Sequence, residues 1–346
     1  MTAPIKLRGD SNSTSNSAPS VAFVIPARNE ALHLKRCIDS INSQKHRKDA
    51  PTSIGIVVVD NESTDRTAEI ARECGATVLQ VPPGNAGRAR NKGVAATKQE
   101  YVAFVDADCV LPAEWLTTCL EHMTNSNVAA VGAPQAPAPE NATWIERVWV
   151  DTITHASQQE WKTTDWLPAF NPLIRRTDFV AVGCFDESLE TCEDSDLSFK
   201  LSKAGQLRTV LTPRVLHLGE SQTLTEFFKR EKWRSHGNFR SAIKRGEVRK
   251  EFLSLFIPLS FSVAIAGVII LATVSPILNR RANFAAMTLI CLVASVPVGI
   301  AFLKKGKHHL FQRSILIFVY LIARGLGPLT ASRRVERKKE KPAPST

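Results

Sequence analysis

The stretch Tyr101-Val-Ala-Phe-Val-Asp-Ala-Asp-Cys109 decides the fold of this 346-residue chain. Its first half is a short run of β-branched and aromatic residues, which is typical of a strand that is buried on both faces. The run ends in two carboxylates, Asp106 and Asp108, which are separated by one small residue. Charged residues that follow a buried strand lie at the carboxyl edge of a sheet, where open α/β folds bind their ligands. We therefore predict an α/β fold with a ligand site at this edge.

The two carboxylates indicate a cation site. Acids this close repel each other unless a cation lies between them. A divalent ion held by one or two carboxylates, with the phosphates of a substrate completing its coordination shell, accounts for such a pair. The alternative is a solvated turn, because Asp-x-Asp is a frequent pattern. The pair alone leaves both interpretations open.

Three segments upstream repeat the order of apolar strand, polar turn and helix. Residues 21–25 are a predicted strand that Pro26 ends, residues 54–59 are a second strand that leads to Asp60, and residues 76–81 are a third. Strands that alternate with helices and are apolar throughout indicate a mostly parallel sheet with right-handed crossovers.

Polar residues follow these strands and converge on one edge of the predicted sheet. Asn29 and Glu30 follow the first strand, Asp60 the second, and Asp106 and Asp108 the fourth. Several acids at one edge favour a nucleotide-and-metal site over a purely structural feature. A dinucleotide fold is not indicated, because the turn after the first strand lacks Gly-x-Gly-x-x-Gly. The glycine-containing loop after the third strand also lacks the Gly-Lys-Ser/Thr ending of a Walker motif.

Composition divides the chain into a soluble part and an apolar part. Residues 1–250 resemble a soluble α/β protein, whereas residues 252–330 are dominated by apolar runs. The net charge is +11, and basic residues beside apolar segments indicate an anionic lipid surface rather than nucleic acid. No zinc-finger spacing or RNA-binding signature supports a nucleic-acid partner. The seven cysteines include no Cys-x-x-Cys pair, which favours a reducing compartment.

The apolar part predicts membrane helices. Residues 252–274 and 284–303 carry no charge and are long enough to span a bilayer. A third span over 310–329 would carry the basic tail at 331–346 across the membrane, against the positive-inside rule, so we predict an interfacial or re-entrant helix there. The basic residues that place both outer flanks of the two spans in the cytoplasm are Lys244, Arg245, Arg249, Lys250, Lys304, Lys305 and Lys307.

A series of segments in order resembles the family 2 inverting glycosyltransferases, which have a GT-A fold. The resemblance covers roughly residues 20–240. Its segments are Val24-Ile-Pro-Ala-Arg-Asn-Glu30, Val59-Asp-Asn-Glu-Ser-Thr-Asp-Arg-Thr67, Gly87-Arg-Ala-Arg-Asn-Lys-Gly93, Phe104-Val-Asp-Ala-Asp108, Asn171-Pro-Leu-Ile-Arg-Arg176, Phe179-Val-Ala-Val-Gly-Cys-Phe-Asp-Glu187 and Glu193-Asp-Ser-Asp-Leu197.

The resemblance implies roles in binding a nucleoside-diphosphate sugar. Asp60 would accept a hydrogen bond from the donor base, and Asp106 would lie near the ribose and the metal. Asp108 would bind Mg²⁺ or Mn²⁺ at the diphosphate, and His217 lies where several GT-A enzymes place a third metal ligand, although a lone histidine is more often structural. The other residues expected at the donor are Pro26, Arg28, Asn29, Glu30, Arg88, Arg90 and Asn91.

The resemblance also implies that Asp194, in the pair with Glu193, is the catalytic base. An inverting transferase needs a base on the face opposite the leaving diphosphate, and a cation and arginines stabilise the charge that gathers there. Glu193, Asp194 and Asp196 also begin a predicted helix, so the alternative is that they complement its N-terminus. We favour catalysis for Asp194 and the helix role for Asp196.

The sequence departs from the family at two places. Asn61 and Glu62 stand where the family often has an acid and a glycine, and Lys229-Arg-Glu-Lys-Trp233 replaces the Gln-x-x-Arg-Trp of processive members. The second departure favours the addition of a single sugar. Four tryptophans either stack on a sugar ring or lipid or simply pack under a lid, and packing is favoured. They are Trp144, Trp149, Trp161 and Trp166.

We therefore expect a multi-pass protein of the cytoplasmic (inner) membrane with its catalytic domain in the cytoplasm. It would transfer one sugar to a glycan or lipid-linked acceptor, as in polysaccharide or cell-envelope synthesis. The alternatives are a sugar nucleotidyltransferase and a degenerate domain that binds glycan or acts as a scaffold. The predicted boundaries are a disordered leader at 1–20, a GT-A domain at 21–222 (donor half 21–110, acceptor half 111–222), an amphipathic interfacial helix at 223–250, membrane segments at 251–330 and a basic tail at 331–346.

Overall fold

The computed structural model describes residues 19–44, 52–154, 159–274 and 280–339. Nearly all of the predicted leader at 1–20, and the end of the basic tail after residue 339, lie outside the described residues. The chain divides into two compact units. The sheet unit comprises Met1–Pro137 and Ala156–Glu220, and the helical unit comprises Ala138–His155 and Ser221–Thr346.

The elements follow one another in the α/β order that the sequence predicts. The strands are β1 (Ser20–Ala27), β2 (Ser53–Asp60), β3 (Thr77–Gln80), β4 (Tyr101–Phe104), β5 (Cys109–Val110), β6 (Val128–Gly132), β7 (Trp161–Thr164), β8 (Leu173–Arg175), β9 (Gln206–Val210) and β10 (Leu216–His217). The helices of the sheet unit are α1 (Leu34–Asn42), α2 (Thr67–Glu73), α3 (Ala86–Ala95), α4 (Trp115–Met123), α6 (Arg176–Ala181) and α7 (Glu193–Ser202), and α5 (Trp144–Ile153) belongs to the helical unit.

The main sheet has the strand order β3-β2-β1-β4-β8-β6-β9-β7. Its first four strands are parallel, as the sequence predicts, and β6 is parallel to β9. Antiparallel pairing enters at β8, which lies between β4 and β6, and at the edge strand β7. The fold is therefore a mostly parallel mixed sheet, and the predicted α/β class is confirmed.

The first strand runs past Pro26, where the sequence predicts its end. Its pairing with β2 continues to Ala27, whereas its pairing with β4 ends at Val24. Val24 O accepts the last β4 bond, from Val105 N, and alternate residues of a strand face the same neighbour. Pro26 therefore faces β4 and has no N–H to donate to it. The prediction was wrong because the proline ends only one of the two ladders.

Two apolar layers hold the sheet between its helices. Val21, Phe23 and Ile25 of β1 pack on one face, and Val24 packs on the other. Each fully buried side chain of this size contributes about 1.5–3 kcal/mol. On the second face α3 lies so close that a Cβ on Gly93 would be 2.4 Å from Val24 Cγ1. Only glycine at this position allows the helix to reach the sheet.

The helical unit begins with two short helices where the sequence predicts one long amphipathic helix. The segment folds as α8 (Leu224–Arg234), a 3₁₀ turn (Ser235–Gly237) and α9 (Asn238–Arg245). Serine, histidine and glycine are weak helix formers, which favours a break at this point. Ser235 is buried here, and its Oγ would lie 1.6 Å from a Cβ on Gly327.

Three long helices complete this unit: α10 (Phe252–Val274), α11 (Arg280–Lys305) and α12 (Leu310–Lys339). By length and composition, stretches of all three can cross a membrane: Phe252–Val274, Ala286–Lys305 and Leu310–Pro328. They support attachment of the chain to a membrane. The stretch in α12 has the lowest mean hydropathy of the three, 1.4, and the largest buried share, 39%.

Charged side chains of α12 are paired inside the helical unit. Arg313 is fully buried, donates to Asp151 Oδ2 at 3.0 Å and to Thr152 Oγ1 at 3.2 Å, and so joins α12 to α5. Arg324 donates to Glu231 Oε2 at 2.9 Å, and Glu231 of α8 is itself fully buried. The two arginines that make 310–329 an unusual span therefore have acidic partners.

Candidate active site

The loops that follow β1 and β2 bind each other and form one side of the site. Asn29 N donates to Ser63 Oγ at 3.0 Å, and Asn29 Oδ1 accepts from Thr64 N at 2.8 Å. Glu30 N donates to Thr67 Oγ1 at 2.8 Å. Asn29 has a positive φ of 57°, which asparagine tolerates better than most residues. Arg28 is exposed on this loop. Pro26, near the end of β1, is half-buried.

Asp60 lies at the carboxyl end of β2, almost wholly buried, and its Oδ1 accepts from Ser63 N at 3.1 Å. The next residue, Asn61, departs from the family and has a structural role. Its amide donates to Gly84 O at 2.8 Å and accepts from Gly84 N at 2.9 Å. These two hydrogen bonds fix the loop after β3 beside the end of β2. An acid at position 61 would offer no N–H to the glycine carbonyl.

Arg90 of α3 is the centre of the charge arrangement. Its guanidinium donates to Asp106 Oδ1 at 2.7 Å and to Glu193 Oε1 at 2.9 Å, and its side chain is only 4% exposed. The phenyl ring of Phe185 lies 5.4 Å from its central carbon. The arginine joins the acid after β4 to the acid that starts α7. These two acids are far apart in the sequence and were assigned to different steps by the resemblance.

The neighbours of Arg90 on α3 have different surroundings. Asn91 donates to Phe185 O at 2.9 Å and accepts from Phe185 N at 3.1 Å, so its amide fastens α3 to the loop before α7. Arg88 is half-buried, and its N donates to the N-cap Asn85 at 2.8 Å. Of the three α3 residues expected at the donor, Arg90 lies among the acids and Asn91 holds the loop.

Asp108 and His217 come together with Cys109 in a potential metal site. β5 and β10 pair antiparallel with His217 opposite Cys109, and Leu218 N donates to Asp108 O at 2.8 Å. The ligand atoms of Asp108, Cys109 and His217 lie within 4.8 Å of one another, and His217 Nε2 is 3.7 Å from Asp108 Oδ1. Asp106, which was also expected at the metal, is not in this group, and its Oδ1 accepts from Arg90 at 2.7 Å.

Two residues of this cluster, Asp108 and His217, fit a divalent ion such as Mg²⁺ or Mn²⁺. A carboxylate and an imidazole suit Mn²⁺, whereas a protonated thiol suits neither ion. Burial raises the pKa of the Cys109 thiol well above its ordinary value, so this residue stays neutral. Among the described residues, the buried Nδ1 of His217 has no hydrogen-bond partner. The carboxylate of Glu220 is nonetheless near, with its Oε1 3.9 Å from this nitrogen.

Glu30 adds a third carboxyl group to this corner. Burial, followed by the charges of Asp108 and Asp106, raises the pKa of Glu30 from 4.5 to about 7. Crowded acids of this kind favour either a shared proton or a bound cation. The nearby Gly219 is required by sterics, because a Cβ there would be 1.8 Å from Asp108 Oδ2.

The acids of α7 have separate environments. Cys192, with a positive φ of 66°, turns the chain into the helix, and Glu193 binds Arg90. Asp194 Oδ1 accepts from Ser195 N at 2.7 Å. Asp196 is buried and forms an ion pair with Lys200 at 2.7 Å.

The protonation of Asp194 is altered by its surroundings. Burial and the charge of Glu193 raise the pKa of Asp194 from 3.8 to about 6. The hydrogen bond from Ser195, the charge of Arg90 and a hydrogen bond from Trp166 oppose this increase. The group remains ionised at neutral pH and is more basic than an exposed aspartate, which suits a general base.

Sequence reasoning missed several contacts of the site. Trp166 was expected to pack, yet its indole N–H donates to Asp194 Oδ2 at 3.2 Å and its side chain is 48% exposed. Packing does hold for Trp149, which is 8% exposed. Gly219 also belongs to the site, because a Cβ there would meet Asp108, and the sequence analysis did not single it out. Nothing in the sequence pointed to the pairing of Arg90 with both Asp106 and Glu193.

The fold and the site together define a class. A parallel sheet half with acids at its carboxyl edge, continued by a mixed half that supplies a further acid, is the GT-A type of α/β domain. Residues 22–184 match Glycosyl transferase family 2, and this domain of the chain belongs to that family.

Similar proteins agree with this assignment. Glycosyltransferase AglE of Haloferax volcanii is 28% identical over 152 residues, which are 42% of this chain and 48% of AglE. The pre-mycofactocin glycosyltransferase of Mycobacterium tuberculosis is 29% identical over 198 residues, which are 54% of this chain and 39% of that protein. The chain thus spans about half or less of the length of these curated relatives.

A solved structure with the same fold is the mannosyltransferase PcManGT from Pyrobaculum calidifontis, in complex with GDP-Man and Mn²⁺. The two structures superpose with a TM-score of 0.61 at 19% sequence identity, over 90% of this chain and 87% of PcManGT. At this identity the likeness establishes the fold alone.

Proposed function

We propose that this protein is a metal-dependent inverting glycosyltransferase that moves one sugar from a nucleoside-diphosphate sugar to an acceptor. The observation that carries the proposal is the contact of Arg90 with both Asp106 and Glu193. This contact brings the N-terminus of α7, with Glu193 and Asp194, close to the acids that follow β4. An in-line displacement requires the base to be positioned close to the bound donor.

The donor half supplies binding and charge compensation. Asp108 and His217 would hold Mg²⁺ or Mn²⁺, which would stabilise the negative charge of the leaving diphosphate. Asp60 would accept a hydrogen bond from the donor base, and the loop of Asn29 and Glu30 would lie beside it. PcManGT is a mannosyltransferase that holds GDP-Man with Mn²⁺, which supports a nucleotide-sugar donor here.

The acceptor half supplies the base. Asp194 would take the proton of an acceptor hydroxyl while the acceptor oxygen attacks the anomeric carbon from the face opposite the diphosphate. Its pKa of about 6 leaves it ionised at neutral pH. A sugar nucleotidyltransferase is not favoured, since the matched family transfers glycosyl groups.

The helical unit would attach the protein to the cytoplasmic membrane, with α10 and α11 as spans. The basic residues before α10 and after α11 support a cytoplasmic sheet unit. We propose an interfacial position for α12, because its apolar stretch packs not only on α10 and α11 but also on the charged helices α5 and α8. Gly327 lies against α8, where a Cβ would be 2.6 Å from Lys232 O, and Arg313 is bound to Asp151 of α5.

A nucleotide-release assay tests the proposed reaction. Membranes that contain the full chain are supplied with GDP and UDP sugars in Mg²⁺, Mn²⁺ or EDTA, and the free nucleotide is measured. We expect metal-dependent release that Asp194→Asn lowers by about 10²–10⁴-fold. The matched control is Asp165→Asn, an exposed acid beside Trp166, which should leave release unchanged. A chain that binds nucleotide and releases none from any donor would be the degenerate, glycan-binding alternative.

The orientation of α12 has a separate test. Reporter fusions after Thr346 distinguish a cytoplasmic C-terminus, expected for an interfacial α12, from an external one. Fluorescence of a fused green fluorescent protein supports the proposal. Alkaline phosphatase activity of the corresponding fusion would show that α12 crosses the membrane and would overturn it.

A further inference from the structure

The segment that contains Trp166 is hydrogen-bonded to α7, the helix that carries Asp194. Thr164 Oγ1 donates to Trp166 O at 3.0 Å. On the other side, Leu167 N donates to Ser198 Oγ at 3.1 Å, and Ser198 belongs to α7 and is buried. Leu167 is itself buried in the second apolar layer. These bonds hold the backbone on both sides of Trp166, and the bond of its indole N–H to Asp194 places the ring beside α7.

The indole fixes Asp194 through one edge and leaves its remaining surface open. Its N–H donates to Asp194 Oδ2 at 3.2 Å, while Asp194 Oδ1 accepts from Ser195 N at 2.7 Å. Both carboxylate oxygens are thus oriented. The residue is 48% exposed, in contrast to Trp115 of the same unit, which is fully buried. Trp161 is 37% exposed as well, so the feature that distinguishes Trp166 is its hydrogen bond to the carboxylate of Asp194.

An exposed indole next to a base suits a sugar ring. The C–H face of a pyranose packs on an aromatic surface, and its hydroxyl groups bond to a carboxylate at the edge. A sugar that lies on the open face of Trp166 would place a hydroxyl within reach of Asp194. The two groups then have complementary tasks, since one binds the ring and the other removes the proton.

The charges beside Asp194 disfavour a phosphate in the same place. Glu193 is adjacent, and the guanidinium of Arg90 is bound to Glu193 and Asp106. A phosphate monoester is an anion at neutral pH and would be repelled by the two acids. It also needs no base, because its oxygen is already ionised. A neutral hydroxyl needs the base and meets no repulsion.

We propose that Trp166 and Asp194 form an acceptor subsite for a sugar ring with a free hydroxyl, and not for the phosphate of a lipid phosphate. The inference rests on the function proposed above. The acceptor proton passes to Asp194, the acceptor oxygen bonds to the anomeric carbon of the donor, and the bond from that carbon to the diphosphate breaks. Its electron pair stays on the released diphosphate.

The role of Trp166 as a positioning residue is tested with water as the acceptor. Trp166→Phe keeps an aromatic ring and removes the N–H that favours the ionised form of Asp194. In metal-dependent hydrolysis of GDP-mannose or UDP-N-acetylglucosamine, we expect the acid limb near pH 6 to move about 0.5–1 unit higher while the donor KM stays within about twofold. The charged groups that face Asp194, Glu193 and Arg90, are unchanged in this variant.

The control is Trp161→Phe. Trp161 is 37% exposed, and its ring packs against the guanidinium of Arg208. The Trp161→Phe substitution should leave the pH profile of hydrolysis unaltered. If the acid limb of the pH profile is at the same pH in Trp166→Phe as in the wild type, the positioning role of Trp166 is overturned.

The acceptor class is tested with p-nitrophenyl pyranosides and phytanyl monophosphate as probes. We expect pyranosides to raise nucleotide release above hydrolysis and phytanyl monophosphate to leave it unchanged. Trp166→Leu should raise the KM for the active pyranoside about tenfold, with the donor KM unchanged. Stimulation by phytanyl monophosphate alone, or an unchanged pyranoside KM in Trp166→Leu, would overturn the subsite. Absence of any release by the wild type, including hydrolysis, would instead overturn the proposed function on which the subsite rests.

Discussion

Arg90 of the sheet unit and Arg313 of the helical unit are both buried, and their surroundings differ in one respect. Arg90 lies between Asp106 and Glu193, and among the described residues no second cation lies within ion-pair distance of either acid. Arg313 is bound to Asp151, which is also 3.5 Å from Lys305 Nζ and 3.8 Å from His308 Nδ1. Arg90 therefore supplies the only cation close to its two acids in the described part of the chain, whereas Arg313 shares Asp151 with Lys305 and His308.

The difference separates a functional from a structural use of a buried charge. Burying a guanidinium is costly, and the cost is acceptable only if its partners remain well placed. In the sheet unit the arginine sets the distance between the acids of two proposed steps. In the helical unit Arg313 joins α12 to α5, and Asp151 remains 35% exposed. Loss of the Arg90 charge should therefore lower both activity and stability, and loss of the Arg313 charge should lower mainly stability.

Arg90→Met should have the largest effect. It leaves Asp106 and Glu193 facing each other without a cation, which we expect to cost about 3–5 kcal/mol of unfolding free energy. Nucleotide release should fall at least about 100-fold, because α7 and its base lose their link to the donor acids. Thermal unfolding and the release assay measure the two effects. Arg90→Lys, which keeps one charge, should lie between this variant and the wild type, and a fully active Arg90→Met protein would refute the bridging role.

Gly219→Ala should have the next largest effect. The new Cβ would be 1.8 Å from Asp108 Oδ2, so the carboxylate must move away from His217. We expect metal-stimulated release to fall about 10–100-fold, while release in EDTA is unchanged. Gly267→Ala is the control, since a Cβ there meets nothing within 4 Å. Equal metal response of both variants would argue against Asp108 as a ligand.

Stability should depend on pH through Glu30 when no metal is present. Because the pKa of Glu30 is raised from 4.5 to about 7, its contribution is complete below pH 4.5 and is lost as the pH rises to about 7. The melting temperature of the purified chain in EDTA should therefore decrease over this range. Glu30→Gln should flatten the dependence, and Mn²⁺ should reduce it by compensating Asp108. A slope that is unchanged in Glu30→Gln would assign the dependence to another group.

Arg313→Met should have the smallest effect and completes the comparison. Asp151 keeps Lys305 and His308 nearby, so we expect a loss of about 1–3 kcal/mol of unfolding free energy from the missing hydrogen bonds. The nucleotide release of the folded protein should stay within about twofold of the wild type. A loss of release as large as that of Arg90→Met would contradict the distinction between the two arginines.

Local patterns were sufficient to predict much of the fold. The apolar run that ends in Asp106 predicted β4, because a strand buried on both faces has a local signature. The same pattern located Asp60 at the end of β2. Pro26 misled the prediction, because its effect depends on which neighbouring strand its nitrogen faces, and the sequence does not give that orientation.

The remaining features depend on contacts between distant segments. His217 lies opposite Cys109 only because β10 pairs with β5 in one register. Arg90 reaches Glu193, which is 103 residues away, only after α3 and α7 have packed. The contact of Trp166 with Asp194 has the same origin. Such pairs have no sequence spacing to recognise, so the resemblance supplied their separate roles and the structure supplied their proximity.

The most direct test of this division of labour measures nucleotide affinity and nucleotide release in two variants. GDP and UDP are titrated calorimetrically into the wild type, Asp108→Asn and Asp194→Asn, with and without Mn²⁺, and release from the matching donor is measured in parallel. We predict that Asp108→Asn loses the gain in affinity due to Mn²⁺, and that Asp194→Asn keeps that gain and loses release. Normal release in Asp194→Asn, or an unchanged effect of Mn²⁺ in Asp108→Asn, would contradict it.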